Sequence, residues 1–82
     1  MRKLSRDMWD AVIDTNLGSC YNMCKAVWDG MRERNYGRIV LTTSSSGLFG
    51  NFGQANYAAA KAGMVGLMNV LAEAGRKTNI KV

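Results

Sequence analysis

The run Arg38-Ile39-Val40-Leu41-Thr42-Thr43 constrains this chain more than any other feature. It is short, rich in β-branched residues and shows no alternation of polar and apolar positions. That is how a strand buried on both faces of a parallel sheet reads. Such a strand needs neighbours on its edges and helices over both faces. The remaining sequence supplies two helical stretches and the start of a second strand, Ile80-Lys81-Val82. With 82 residues the chain is one domain at most, with a thin core. The sheet is therefore expected to be incomplete within these residues. The chain reads either as a segment of a longer doubly wound protein or as a module that completes itself by association with other chains.

Before the strand, Trp9, Val12, Ile13, Leu17, Cys20, Tyr21, Cys24, Val27, Trp28 and Met31 recur at intervals of three and four, with charged residues mostly between them. Ser5 can cap this pattern, Asp7 suits its first turn, and Arg32 and Arg34 suit its last. One helix is expected from about Ser5 to Asn35, stopped by Gly37 and loosened from Asn16 to Gly18, where weak helix formers gather. After the strand, residues 44–54 form a serine- and glycine-rich loop with two aromatics, Phe49 and Phe52. A second helix spans Ala55 to about Ala74, Gly75 closes it, and Ile80–Val82 begins a strand. The order helix, strand, helix, short strand is α/β, part of a Rossmann-like doubly wound parallel sheet.

Composition removes several chemistries. The chain has no histidine, which excludes His-dependent triads and His-ligated zinc or haem. Its two cysteines, Cys20 and Cys24, are too few for a disulfide framework or a zinc site, and four apart on a helix they read as packing residues. No metal is expected. Eleven Lys+Arg against six Asp+Glu give a formal charge of +5, but the basic residues are scattered, with no helix-turn-helix and no aromatic stacking platform. No nucleic-acid partner is expected. The start of the chain runs into charge rather than an apolar core, and Lys25, Asp29 and Lys61 interrupt the apolar stretches, so neither a secretory signal nor a membrane span is expected. The chain reads as soluble and cytoplasmic.

Tyr57 and Lys61 lie four apart at the start of the second helix, so they share one face. An isolated phenol, with a pKa of roughly 10, is a poor acid or base at neutral pH. An ammonium beside it favours the phenolate. Ser44 falls at the carboxyl end of the strand, where ligands bind in open α/β sheets. A Tyr and a Lys four apart are a weak signal alone, and a helix-surface pair is the plain alternative. The serine-ended strand, the glycine loop and the small residues of Tyr57-Ala58-Ala59-Ala60-Lys61 make the combination much rarer.

These residues resemble the short-chain dehydrogenase/reductase family. The resemblance rests on Gly37-Arg38-Ile39-Val40 entering the strand, Ser44 thirteen positions before Tyr57, the run Gln54-Ala55-Asn56-Tyr57-Ala58-Ala59-Ala60-Lys61-Ala62-Gly63, and Thr15-Asn16-Leu17 in the first helix. It implies an oxidoreductase that moves hydride between NAD or NADP and a hydroxyl or carbonyl group. Tyr57 would be the general acid/base, and Lys61 would favour its phenolate, with Tyr57 and Lys61 both beside the nicotinamide ribose. Ser44 would orient the substrate oxygen, and Asn16 would hold a proton-relay water near Lys61. Within that family, Gly50-Asn51-Phe52-Gly53-Gln54 and Glu73-Ala74-Gly75-Arg76-Lys77-Thr78-Asn79-Ile80 are similar to the hydroxyacyl-CoA dehydrogenase domains of multifunctional β-oxidation enzymes, which would make the compartment peroxisomal. The 3-oxoacyl carrier-protein reductases are the competing likeness. The family also implies a homodimer or tetramer built through the two helices. One part of the family pattern is not found in these residues: the strand and glycine-rich turn that cradle the cofactor pyrophosphate. The expectation is the central catalytic segment of the fold, lacking the N-terminal cofactor half.

Overall fold

The computed structural model describes residues 1–45, 47 and 54–82. The first helix, α1, spans Arg6–Ile13. Its start is set by Ser5, whose hydroxyl oxygen accepts the Met8 N–H at 3.1 Å, with Asp7 in the first turn against the positive end of the dipole. The backbone then widens into a π-helical turn over Asp14–Gly18 and continues as α2, Ser19–Arg34. The loosening expected at 16–18 thus takes a definite form, a π-bulge inside one continuous helical path.

The side chains around the bulge stabilise it. Widening the turn changes which amide each carbonyl faces. Ser19 Oγ donates to the Thr15 carbonyl at 2.6 Å and Cys20 Sγ donates to the Asn16 carbonyl at 3.2 Å. Asn16 Nδ2 donates to the Val12 carbonyl at 3.0 Å. The sequence reading assigned the helix stop to Gly37, but the turn is made earlier, by Asn35 in the left-handed region with φ of 55°. Asparagine tolerates that conformation better than other residues with a Cβ.

The first strand, β1, is Gly37–Arg38, and it pairs in parallel with β2, Ile80–Lys81, in the register Gly37↔Ile80 and Arg38↔Lys81. The strand expected over 38–43 is therefore short. A ladder extends only as far as its neighbour, and β2 offers two residues, the second of which, Lys81, takes the Ile39 N–H with its carbonyl at 2.9 Å. Past that point Val40 is 91% exposed. Between the strands runs the helix α3, Ala55–Ala74, followed by a 3₁₀ turn at Arg76–Thr78. β1, α3 and β2 make a βαβ unit, the connection a parallel pair requires. In the expected loop over 44–54, Ser45 and Gly47 are helical, and the Gly47 N–H donates to the Ser44 carbonyl at 3.1 Å. Ser46 and residues 48–53, with both aromatics of that loop, lie outside the described residues.

α1 and the π turn pack against α3, and among the described residues the buried apolar side chains are Cys24, Ala60, Met64 and Ile80. That is a small core. The chain exposes 5893 Å², against about 4900 Å² for a compact monomer of its size. Tyr21, Met23 and Val27 on α2 and Val70 on α3 are among the large apolar residues left in solvent. Among the described residues no helix is long and apolar enough to cross a membrane. The architecture is a partial α/β fold with a short parallel sheet.

Candidate active site

The extended segment that follows β1 and the first turns of α3 are stitched together at one residue. Thr43 Oγ1 donates to the Lys61 carbonyl at 2.7 Å, and Lys61 Nζ donates to the Thr42 carbonyl at 3.1 Å. These reciprocal bonds fix both the backbone and the ammonium of Lys61 against the Thr42-Thr43 segment. Gly47 makes the approach possible, since a Cβ there would lie 2.8 Å from the Ala62 nitrogen and 2.9 Å from Lys61 Cβ. The same ammonium lies 5.6 Å from the centroid of the Tyr57 ring, within cation–π range. Tyr57 and Lys61 are both half-buried.

Ser44 follows Thr43, and its hydroxyl oxygen is buried with no hydrogen-bond partner among the described residues. A buried hydroxyl left unmade costs on the order of 1–3 kcal/mol, so a native structure that keeps one has a use for it. Among the described residues nothing takes up the donor and acceptor capacity of that hydroxyl. Asn16 arrives from the other side. Its neighbour Leu17 rests on α3 at Gly63, where an added Cβ would come within 2.8 Å of Leu17 Cδ2. The π turn is thereby docked two residues beyond Lys61. The Asn16 amide is committed to its own helix, and its carbonyl takes the Cys20 thiol at 3.2 Å and the Ser19 hydroxyl at 3.4 Å.

Of the residues expected from sequence, Tyr57 and Lys61 stand together, and Ser44 and Asn16 come from the two elements that touch α3 beside them. Among the described residues no hydrogen bond joins Ser44, Asn16 and Tyr57 to one another. Two residues have roles that the sequence reading did not assign. Thr43 holds the Lys61 backbone, and Asn56 holds the Tyr57 N–H through its Oδ1 at 2.9 Å. The signal for Asn56 was present, because short polar residues at a helix start commonly take orphan amides. Thr43 gave none beyond its β propensity.

The two cysteines are free thiols. Burial pushes the Cys24 thiol up, and Cys20 beside it adds to the effect, so it stays protonated and serves packing. Among the described residues no cluster of three or more His, Cys, Asp or Glu could hold a metal ion.

The family model for short chain dehydrogenase matches residues 1–82. Mouse peroxisomal multifunctional enzyme type 2 is 50% identical over 78 residues, a match covering 95% of this chain and 11% of the relative. Acetoacetyl-CoA reductase of Allochromatium vinosum is 48% identical over 81 residues, covering 99% of this chain and 33% of the relative. The structure of full-length peroxisomal multifunctional enzyme type 2 from Drosophila melanogaster superposes with a TM-score of 0.95 at 42% identity, covering 98% of this chain and 15% of that one. The chain thus spans between about a tenth and a third of the length of the relatives named here. Its likeness to them includes the βαβ unit and the helix that carries Tyr57 and Lys61, and with a family model matched from end to end the chain belongs to the short-chain dehydrogenase family.

Proposed function

We propose that this chain carries the proton-transfer centre of an NAD(P)-dependent oxidoreductase acting on a 3-hydroxyacyl or 3-oxoacyl thioester. The observation that carries the reading is the Ser44 hydroxyl, buried and with no partner among the described residues, next to the Thr42-Thr43 segment that is bonded to Lys61. In this reading the Ser44 hydroxyl receives the substrate oxygen. Tyr57 donates a proton to that oxygen in reduction and accepts it in oxidation, with the Lys61 ammonium 5.6 Å from its ring centroid as the positive charge beside it. Asn16, held by the π turn, supports a relay water that returns the proton. The nicotinamide cofactor would supply the hydride exchanged at the carbon. Tyr57 and Lys61 would hold its ribose, which the half-buried phenol and ammonium suit as hydrogen-bonding partners for a diol.

The thioester is supported by names alone: acetoacetyl-CoA reductase and peroxisomal multifunctional enzyme among the relatives. Coenzyme A is the preferred carrier and an acyl carrier protein the alternative, which parallel assays with both thioesters separate. The compartment is cytoplasmic, with the peroxisome the alternative that two of the relatives' names suggest.

Replacing Tyr57 with Phe in the intact protein tests the centre. A positioned acid/base contributes roughly 10²- to 10⁴-fold, so turnover is expected to fall by at least about a hundredfold while cofactor binding, followed by fluorescence titration, persists. Turnover within a few fold of the parent would refute the assignment.

A second reading, that these residues serve as an assembly module, is favoured by the exposed apolar residues of α2 and α3. Tyr21, Cys24, Trp28, Leu67 and Leu71 line one groove between the two helices, which would pair with a second copy. A dimer or tetramer by sedimentation supports it, and a monomer at micromolar concentration opposes it.

A further inference from the structure

The first turn of α3 must hold Tyr57 still, yet it has no ordinary cap. Among the described residues, the first amide of this helix to find a carbonyl four residues back is Ala58, bonded to Gln54 at 2.8 Å. The side chain of Gln54 makes no cap bond. The Tyr57 N–H lies in the first turn, where a helix start leaves donors over. Asn56 takes it at 2.9 Å through Oδ1, and with Nδ2 it donates to the Met8 carbonyl on α1 at 3.2 Å. One amide thus fastens the backbone of Tyr57 to a different helix. Met8, Val12 and Asn16 follow one another at intervals of four, so they form one stripe of α1 and the π turn. The Asn16 side chain is fastened to the Val12 carbonyl, one turn along from the carbonyl that holds Asn56.

We infer that Asn56 is a positioning residue for Tyr57, setting the phenol against the same stripe of α1 that orients Asn16. This rests on the reading of Tyr57 as the acid/base. Neutral variants separate the two bonds. Asn56→Ser keeps an oxygen that can accept the Tyr57 N–H but is too short to reach Met8, and Asn56→Ala removes both bonds. In the intact protein both variants are expected to lower kcat roughly tenfold, as a small misplacement of a reacting group does. KM is expected to stay within about twofold, because binding groups are untouched. The limb of the pH–rate profile that reports the acid/base is expected to move in both, while the serine variant keeps the thermal midpoint of the parent.

A serine variant with parental kcat and pH profile overturns the inference, and this holds even if the alanine variant fails to fold. The Tyr57→Phe comparison separates the two proposals. A dead phenylalanine variant beside a fully active serine variant removes the role of Asn56 and leaves the acid/base reading. An active phenylalanine variant removes both.

Discussion

Gly47 is where the strand end meets the backbone of α3, and a single methyl there tests how the site is held. A Cβ at this position would lie 2.8 Å from the Ala62 nitrogen, 2.9 Å from Lys61 Cβ and 3.0 Å from the Lys61 carbonyl carbon. Two of these are backbone atoms inside a helix, so no rotamer change relieves the contact. To regain an ordinary separation of about 3.5 Å from the Ala62 nitrogen, the two segments must part by roughly 0.7 Å. Overpacking of this kind costs about 1–3 kcal/mol. The same movement stretches the 2.7 Å bond from Thr43 to the Lys61 carbonyl, forfeiting a further ~0.5–1.5 kcal/mol.

Gly47→Ala is therefore expected to destabilise the intact protein by about 2–4 kcal/mol, read as a lower urea midpoint with an unchanged m-value. It should also lower turnover, because the segment that moves carries Lys61. Gly66→Ala is the control. Nothing lies within 4 Å of a Cβ there, and in an exposed helix interior alanine is better than glycine by about 0.5–1 kcal/mol. A Gly47→Ala variant within about 0.5 kcal/mol of the parent would refute the claim that close backbone contact holds Lys61 in place.

Two further outcomes are expected. Thr43→Val keeps the shape of the strand end but deletes its donor to the Lys61 carbonyl, costing about 0.5–1.5 kcal/mol in urea denaturation. An unchanged midpoint would mean that the bond adds nothing. Cys24 gives a pH signature. Burial, then Cys20, raises its thiol in the folded state, so the folded chain holds that proton more tightly than the unfolded one. Its contribution is fully present below the ordinary thiol value of about 8.5 and is lost as pH rises through the folded value. Stability curves of the parent and Cys24→Ala should therefore converge in alkaline solution, and curves that stay parallel would show that burial does not hold the proton.

The helices were legible because amphipathic spacing, a Ser5 cap and closing arginines are local signals, each acting within a turn or two of the chain. The weak point at Asn16–Gly18 was legible for the same reason. That it becomes a π turn was not, since this depends on the Ser19 and Cys20 side chains reaching back to the Thr15 and Asn16 carbonyls. The strand was overread. Hydrophobicity marked 38–43 as sheet-forming, but hydrogen-bonded length is a property of two strands, and β2 reaches only Ile80–Lys81. The helix end near Asn35 was legible, but the turn was credited to Gly37, because a glycine just past a helix is the commoner sign of the left-handed turn that Asn35 makes here.

Sequence by itself determined the α/β class and brought Tyr57 and Lys61 onto one face, because a four-residue spacing on a helix allows nothing else. It also placed Ser44 just after the sheet-forming run 38–43, although the paired strand itself ends at Arg38. The tertiary structure alone decided what surrounds them. Thr43 and Thr42 grip Lys61 across a distance of about twenty residues in sequence, Asn56 reaches α1, and the Ser44 hydroxyl is left buried and unspent. Local spacing fixes direction along one element, whereas contacts between elements depend on how closely their backbones approach, and here that approach is set by the bare Cα positions of Gly47 and Gly63.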